Sequence, residues 1–250
     1  MRPARALALG LLHGPAELLP VSSSAHAALV LQDLAPDRRK ELEVALHAGT
    51  LAALGPPRVA PWLVLATAPP ALAGFLLEGP IERRLGTPPT LAAGLLVGAL
   101  ALAAADRAPQ RRRLAAPSPR DALWLGAAQA AALVPGVSRH GAALSVLRAR
   151  GFAREAAHEL SREAARPVLA GAATLKGWRV VRRVAASGTE GGELPALLAA
   201  AAGSALSTRL AARALGGRGV RAPLWPFALY RAGLAAAVVA TARRAQPRRT

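Results

Sequence analysis

The sequence has no cysteine, few aromatic residues and few charged ones. The lack of cysteine excludes disulfide bonds and thiolate metal sites. Charged residues make up 18% of the chain, whereas soluble domains have roughly a quarter, so the composition favours a membrane environment. Alternation of apolar and polar residues is nowhere sustained, which argues against a sheet-based fold.

Hydrophobic residues account for 53% of the 250 residues, and most of them are alanine and leucine, which favour helix. A membrane-spanning helix needs ~20 predominantly apolar residues. Four stretches come close to this length: Ala60–Leu77, Pro88–Ala105, Leu194–Leu215 and Pro223–Ala242. The sequence therefore predicts an all-α fold, a polytopic membrane helix bundle that forms a single integral membrane domain over residues 1–250.

The net charge is +18, from 32 Lys and Arg residues against 14 Asp and Glu residues. Nucleic-acid-binding proteins are also basic, but such a domain concentrates its charge on one face of a soluble fold. Here the arginines fall between apolar runs, as at 111–113. This placement indicates short loops at a membrane surface with anionic lipid headgroups, and it argues against a nucleic-acid partner.

Two apolar stretches are interrupted by proline. Ala6–Leu19 stops at Pro20, and Ala122–Val134 stops at Pro135. Proline removes a backbone donor and clashes with the preceding turn, so each helix should break there. In lipid, a broken backbone is tolerated only where protein or a polar cavity surrounds it. We therefore expect two re-entrant or broken helices whose polar tips face the protein interior.

The two interruptions can be aligned on each other. Leu19-Pro20-x-x-Ser23 matches Val134-Pro135-x-x-Ser138, and an apolar run follows each. Paired interrupted helices in corresponding halves indicate an inverted-type repeat with a site at its interface. The halves would cover about residues 1–106 and 121–250, joined by the arginine-rich linker 107–120.

The first interruption carries five polar side chains within ten residues: Glu17, Ser22, Ser23, Ser24 and His26. Such groups are costly inside a membrane segment and mark functional sites there. A structural interpretation is also open, in which one serine caps the following helix and His26 lies at the membrane interface. It leaves Glu17 unexplained, because no basic residue lies close to it in sequence to balance a carboxylate.

The second interruption carries a cation. Arg139 follows Ser138 in a loop that begins with Pro135 and Gly136 and leads into a helix. A glycine-containing loop at a helix N-terminus presents N–H groups, and arginine adds a bidentate fork suited to phosphate oxygens. The alternative is an arginine that reaches the lipid headgroups. If the two tips meet, they supply what phosphoryl transfer requires: positioning, charge neutralisation and activation of a nucleophile.

Five ordered motifs run along the chain: Glu17-x-x-Pro20-x-Ser22-Ser23-x-x-His26, Glu43-Val44-x-x-His47-x-Gly49-Thr50-Leu51, Ala68-Pro69-Pro70-Ala71-Leu72-x-Gly74, Pro135-Gly136-x-Ser138-Arg139 and Phe227-x-x-Tyr230-Arg231. Together they resemble the bacterial undecaprenyl-diphosphate phosphatases, the family also known for bacitracin resistance. The resemblance implies a multi-pass protein of the bacterial plasma membrane that hydrolyses undecaprenyl diphosphate to the monophosphate. This reaction recycles the lipid carrier of cell-wall precursors.

The resemblance also implies roles for individual residues. The catalytic residues would be Glu17, Ser23, His26 and Arg139, and the attacking group would be Ser23, His26 or a water. Glu17 would bind a divalent cation, Mg²⁺ or Ca²⁺, or act as a base, with His13 as a second metal ligand. Residues expected to bind the substrate are Ser22, Gln129, Gly136, Ser138 and His140. The expected partners are the polyprenyl diphosphate and anionic membrane lipids, and an oligomer is left open.

The chain departs from the family pattern at both signatures. The family usually has Glu or Gln four residues before Glu17, where this chain has His13. After Arg139 the family pattern continues with Ser, Gly, a variable residue and Thr, whereas this chain has His140, Gly141, Ala142 and Ala143. Two hydroxyls that would contact phosphate are therefore absent.

Two other functions use similar residues. Acid-phosphatase-like lipid phosphatases need a histidine several residues after the Ser-Arg pair and then an aspartate, and the residues after Arg139 do not supply this pattern. A flippase or transporter for a lipid phosphate would use the same polar tips to bind without cleaving, and inverted repeats are typical of transporters. This second alternative stays open on the sequence.

Overall fold

The computed structural model describes residues 1–113, 116–186, 194–216 and 221–245. These residues form ten helices: α1 (Pro3–Leu18), α2 (Ser23–Val30), α3 (Pro36–Leu54), α4 (Pro61–Leu85), α5 (Pro88–Asp106), α6 (Pro119–Ala131), α7 (Arg139–Ala149), α8 (Arg154–Ala186), α9 (Leu194–Leu215) and α10 (Trp225–Ala245). The described ranges contain no β-strand, and their β-type pairing is limited to one isolated bridge between Arg112 and Phe152. The predicted all-α fold is confirmed for this part of the chain.

Proline marks the beginning of five helices: α1, α3, α4, α5 and α6. The first residue of a helix needs no intrahelical N–H partner, and proline already has a helical φ, so it is favoured there. Two of these starts are reinforced by capping boxes, Thr87 with Thr90 before α5 and Ser118 with Asp121 before α6. The 21 prolines therefore delimit many of the helices of this chain as well as breaking two of them.

Three helices of the described chain are long and apolar enough to cross a membrane, Pro88–Asp106, Leu194–Leu215 and Trp225–Arg243. They coincide with three of the four predicted stretches. The fourth stretch lies in α4, which bends by 61° between its segments Pro61–Leu77 and Gly79–Leu85. Pro80 lies at this bend, as expected for a residue that removes a helical hydrogen bond. If the bent pair is one span, the number of spans is four.

Large apolar side chains are exposed along these helices. On α4 they include Leu72, Phe75 and Leu76, on α5 Leu96, Val97 and Leu100, and on α9 Leu198, Leu206 and Leu210. Water would disfavour apolar surface of this extent, whereas lipid tails accept it. The composition, the lengths of the apolar helices and their exposed apolar surface all indicate that the chain is a membrane protein.

The chain divides into two compact units, each built from segments that are distant in sequence. The first unit comprises Met1–Leu18, His26–Val59 and Arg162–Val220, and the second comprises Leu19–Ala25, Ala60–Ser161 and Arg221–Thr250. Two of the five boundaries between these segments fall inside helices, α2 and α8. The repeat halves 1–106 and 121–250 and the re-entrant character of the broken helices stay predictions, and residues 114 and 115 of the predicted linker lie outside the described residues.

In the first unit, glycines allow helices to approach α9 closely. A Cβ atom at Gly10 of α1 would collide with the carbonyl oxygen of Ala200, and one at Gly49 of α3 would collide with that of Ala201. Small residues at helix contacts are the usual means of close packing in membranes. Because α1 and α3 both pack on α9, the side chains of His13, Glu17 and His47 are brought to one place.

In the second unit, α5 provides the surface on which the second interruption packs. A Cβ atom at Gly94 would collide with the carbonyl oxygen of Pro135, and one at Gly98 would collide with the guanidinium of Arg231 on α10. Gly136 itself has a φ of 89°, a conformation that residues with a side chain rarely adopt. The second interruption therefore needs glycine both on the loop and on its supporting helix.

The start of α6 is held by charged groups. Asp121 is buried, and its carboxylate accepts hydrogen bonds from Arg150 Nε at 2.5 Å, Ser118 Oγ at 2.7 Å and Arg112 Nη1 at 2.8 Å. Burial opposes the charged carboxylate, but these hydrogen bonds outweigh it and hold the pKa of Asp121 below its ordinary value. They connect the loop before α6 to the end of α7.

Candidate functional site

The first unit contains a cluster of two imidazoles and one carboxylate, formed by His13, Glu17 and His47. His13 and Glu17 lie one turn apart on α1, and His47 lies on α3. Glu17 Oε2 is 3.8 Å from His13 Nε2 and 3.9 Å from His47 Nε2, and the three ligand atoms all lie within 4.8 Å of one another. The sequence predicted His13 and Glu17 as partners, and the structure adds His47.

The orientation of His47 is defined by its second ring nitrogen. Nδ1 of His47 lies 2.7 Å from the carbonyl oxygen of Glu43, one turn earlier on α3. Because a carbonyl only accepts hydrogen bonds, Nδ1 of His47 is the donor, and in the neutral ring Nε2 then carries the lone pair. A histidine that donates through one nitrogen to a backbone carbonyl and offers the other is the usual arrangement of a metal ligand.

The donor set of this cluster fits a divalent cation. Carboxylate oxygen and neutral imidazole nitrogen are both ordinary ligands of divalent metals. Glu17 and His13 are almost fully buried, whereas the His47 side chain is 33% exposed. No other group of three such ligands occurs in the described part of the chain.

The first interruption lies between α1 and α2, where Leu19–Ser22 is not helical. Ser22 is buried and has a φ of 72°. Among the described residues it is the one non-glycine residue with a positive φ. Its hydroxyl lies 3.1 Å from that of Ser24. Such a conformation costs about 1–3 kcal/mol and clusters at functional sites. Ser23 begins α2 and is half-buried, as is His26 one turn later.

The second interruption lies between α6 and α7, where residues 132–138 are not helical. α7 begins at Arg139, whereas the sequence placed this residue in the loop that leads into the helix. Ser138 is the N-cap residue, and its Oγ accepts a hydrogen bond from Gly141 N at 3.1 Å. The first amides of a helix have no partner inside the helix, so this end favours an anion. Arg139 is half-buried at the first position of the helix.

Arg231 of α10 connects the two interruptions within the second unit. Its guanidinium is fully buried and donates to the carbonyl of Pro20 at 3.4 Å and to that of Gly136 at 3.0 Å. It also donates to Leu95 at 3.3 Å and Gly94 at 3.4 Å, both on α5. One side chain therefore binds the main chain of both proline-containing loops, which the sequence placed 115 residues apart.

Two of the residues expected to bind substrate have protein partners. Nε2 of His140 lies 3.1 Å from Nδ1 of His158, and Nδ1 of His140 lies 2.8 Å from Oγ of Ser161. Nε2 of Gln129 donates to the carbonyl of Ala66 on α4 at 3.0 Å. These contacts hold His140 against α8 and α6 against α4, and the predicted role of His140 and Gln129 in substrate binding stays a prediction.

The predicted residues are distributed over both units. His13, Glu17 and His26 belong to the first unit, and the other predicted site residues belong to the second: Ser22, Ser23, Gln129, Gly136, Ser138, Arg139 and His140. The sequence analysis did not single out His47 or Arg231, although both lie within quoted motifs. The contacts of His158 and Ser161 with His140 were not predicted either, and the sequence offers no signal for them beyond an unusually polar α8.

Comparison with known proteins gives a consistent result. Residues 57–237 match the family model described as bacitracin resistance protein BacA. An undecaprenyl-diphosphatase of Geobacter sulfurreducens is 37% identical over 263 aligned residues, which cover 94% of this chain and 96% of the relative. An undecaprenyl-diphosphatase of Gemmatimonas aurantiaca is 34% identical over 265 residues, covering 95% and 97%. That of Moorella thermoacetica is 36% identical over 195 residues, covering 69% and 75%.

Proposed function

Because the chain belongs to the BacA family of bacitracin resistance proteins, we propose that it hydrolyses undecaprenyl diphosphate to undecaprenyl phosphate and inorganic phosphate. The reaction recycles the lipid carrier of cell-wall synthesis. The relatives that bear the name undecaprenyl-diphosphatase match this chain over nearly its full length. The proposed location is the bacterial plasma membrane, with a multi-pass arrangement among anionic lipids. An oligomer is compatible with this function.

The observation that carries the proposal is the double contact of Arg231 with Pro20 and Gly136. The side chain of Arg231 thus contacts both the serine-containing loop and the arginine-containing loop, and Ser23 and Arg139 belong to the same unit. A diphosphate bound there would receive hydrogen bonds from Arg139 and from the amides at the start of α7. Such donors stabilise the charge that develops on phosphate oxygens.

The chemical step breaks the bond between the terminal phosphorus and the bridging oxygen of the diphosphate. The lipid monophosphate leaves when the terminal phosphorus is attacked. A water as the attacking group gives inorganic phosphate directly, whereas Ser23 or His26 would form a phosphoryl-enzyme that a water then hydrolyses to inorganic phosphate. Glu17 would take the proton of the attacking group or hold a divalent cation together with His13. Such a cation, when bound, neutralises phosphate oxygens and polarises the terminal phosphoryl group.

The test is release of inorganic phosphate from a polyprenyl diphosphate by the purified full-length chain in detergent. We expect Glu17→Gln and Arg139→Ala each to lower the rate by about 10²–10³-fold, as for loss of one stabilising group. Arg58→Ala is the matched control, because Arg58 forms an exposed ion pair with Glu163 and should leave the rate unchanged.

Two outcomes would count against the proposal, one against the residue roles and one against hydrolysis. Undiminished phosphate release in both variants would contradict the assigned roles. Binding of the lipid without release, in protein that is folded and monodisperse, would favour the flippase alternative. The substitution of the expected hydroxyl by Ala143 is the feature of this chain that suits a binder.

A further inference from the structure

The cluster of His13, Glu17 and His47 has an unusual donor set for a phosphatase expected to use Mg²⁺ or Ca²⁺. Mg²⁺ and Ca²⁺ are hard cations that prefer oxygen ligands, and Mg²⁺ keeps several waters when only one or two carboxylates are supplied. Here two of the three ligands are imidazole nitrogens. Imidazole favours zinc, iron, nickel and copper over magnesium and calcium.

The ligand atoms of His13, Glu17 and His47 already lie close to the spacing of a metal site, so no helix needs to move. Metal–ligand bonds of about 2.0–2.2 Å in a tetrahedral arrangement place ligand atoms about 3.3 Å apart. The distances of 3.8 and 3.9 Å from Glu17 Oε2 to the two Nε2 atoms exceed this by about half an ångström, which side-chain rotation can close. The two imidazole rings stand at 87° to each other with centroids 5.1 Å apart, so they do not stack in a way that hides their nitrogens.

The position of His47 is independently consistent with a ligand. Its Nδ1–H donates to the carbonyl of Glu43, which fixes the ring and leaves Nε2 directed toward Glu17. The close approach of α3 to α9 at Gly49 places this histidine half a turn from a rigid helix contact. Pre-orientation of this kind raises metal affinity, since loss of such outer hydrogen bonds costs about 10–100-fold.

We propose that His13, Glu17 and His47 form a two-histidine, one-carboxylate site that binds a transition-type divalent cation, such as Zn²⁺ or Co²⁺, in preference to Mg²⁺ or Ca²⁺. Three protein ligands leave positions open for water and for an oxygen of the substrate, as in catalytic zinc sites. The catalytic use of the ion rests on the proposed function, whereas the preference among ions rests on the ligands alone.

The test begins with the binding of Co²⁺ to the full-length chain in detergent after removal of metals with a chelator. Co²⁺ coordinated by imidazole and carboxylate has visible absorption bands that report ligand number without any assay of activity. We expect one equivalent to bind, Zn²⁺ to displace it stoichiometrically, and a large excess of Mg²⁺ or Ca²⁺ to leave the bands unchanged. Displacement by Mg²⁺ at concentrations similar to those of Zn²⁺ would overturn the proposal.

Three variants localise the site. His47→Gln should weaken Co²⁺ binding at least about tenfold, because it removes a ligand. His13→Glu keeps a ligand at the same place but replaces nitrogen with oxygen, so it should weaken Co²⁺ binding and make Mg²⁺ an effective competitor. His158→Gln is the matched control, a histidine of the second unit, and should leave the Co²⁺ bands intact. Unchanged Co²⁺ binding in both cluster variants would exclude this site.

The metal proposal and the proposed function can fail separately. Co²⁺ bound at the cluster in a chain that never releases phosphate from a polyprenyl diphosphate would remove the function and keep the metal preference. Phosphate release supported by Mg²⁺, with no Co²⁺ bands in the same protein, would remove the metal preference and keep the function. Retained folding of each variant is checked by gel filtration and by circular dichroism.

Discussion

The two units of this protein hold their buried polar groups by different means. In the first unit, neutral hydroxyls of α3 and α9 bind one another and the main chain: Thr50 Oγ1 lies 3.0 Å from Ser204 Oγ, which donates to the carbonyl of Leu46 at 2.8 Å. In the second unit, one buried guanidinium, that of Arg231, serves four carbonyls. Hydrogen bonds to charged groups are stronger than neutral ones. Arg148 of the same unit is also fully buried and donates to the carbonyls of Phe152, Asp106 and Ala108. Loss of one buried arginine should therefore destabilise the second unit more than loss of one hydroxyl destabilises the first.

The largest effect is expected for Arg231→Met. It removes the donor to four carbonyls, including those of Pro20 and Gly136, and each buried acceptor left unsatisfied costs about 1–3 kcal/mol. We expect a lower midpoint of thermal unfolding in detergent and loss of phosphate release.

Arg231→Lys separates charge from geometry. Lysine keeps the positive charge but presents one compact ammonium, which cannot reach four carbonyls at once. If Arg231→Lys matched the parent protein in both rate of phosphate release and unfolding midpoint, positive charge alone would be needed at this position. The ability of the guanidinium to reach several carbonyls at once would then not explain the difference between the two units.

The next effect is expected in the second interruption, between α6 and α7. Gly136→Ala places a Cβ on a residue with φ of 89° and against the carbonyl oxygen of Leu91, and strain of this kind costs about 1–3 kcal/mol. Gly74→Ala is the control, since a Cβ there meets nothing within 4 Å and alanine favours helix. The rate of phosphate release and the unfolding midpoint should fall in the first variant only.

An effect of similar size is expected at the edge of the second unit, for Asp121→Asn. The carboxylate binds Arg112, Arg150 and Ser118, and hydrogen bonds to charged groups are worth about 1.5–3 kcal/mol. Because the pKa of Asp121 is lower in the folded state, its contribution is present above the unfolded pKa of about 3.9 and is lost as the pH falls below it. Unfolding midpoints measured from neutral to acidic pH should converge for parent and variant.

The smallest effect is expected in the first unit, for Thr50→Val. Valine has nearly the same shape, and the change removes one neutral hydrogen bond to Ser204, worth about 0.5–1.5 kcal/mol. An unfolding shift as large as that of Arg231→Met would mean that the hydroxyl contacts of the first unit are as decisive as the guanidinium of the second.

The main features of the fold could be predicted from local rules. Pro20 and Pro135 break their helices because proline acts on its own backbone and on the preceding turn, and both interruptions lie where the sequence placed them. Helix starts at proline and spans rich in alanine and leucine are equally local. The ends differ by a few residues, as at α6, which stops at Ala131 where the apolar run continues to Val134.

The candidate site could be predicted only in part, because its long-range contacts leave no periodic pattern. His47 joins His13 and Glu17 through the packing of α1 and α3 on α9, which depends on glycines rather than on the histidine. Arg231 binds main-chain carbonyls, and a carbonyl carries no side-chain identity that a sequence could reveal. Sequence reasoning therefore found the residues of each loop and missed the side chains that join separate segments.

Arg231 also bears on how the chain enters its membrane. An arginine near the middle of a span opposes insertion by about 2.5–3.5 kcal/mol, and α10 is less apolar than α5. Gly98 of α5 leaves room for the guanidinium, and the carbonyls of Gly94 and Leu95 receive its hydrogens. Since α5 precedes α10 in the chain, ribosomal synthesis delivers the acceptors first, and we expect α10 to be stabilised in the bilayer by a partner that is already there.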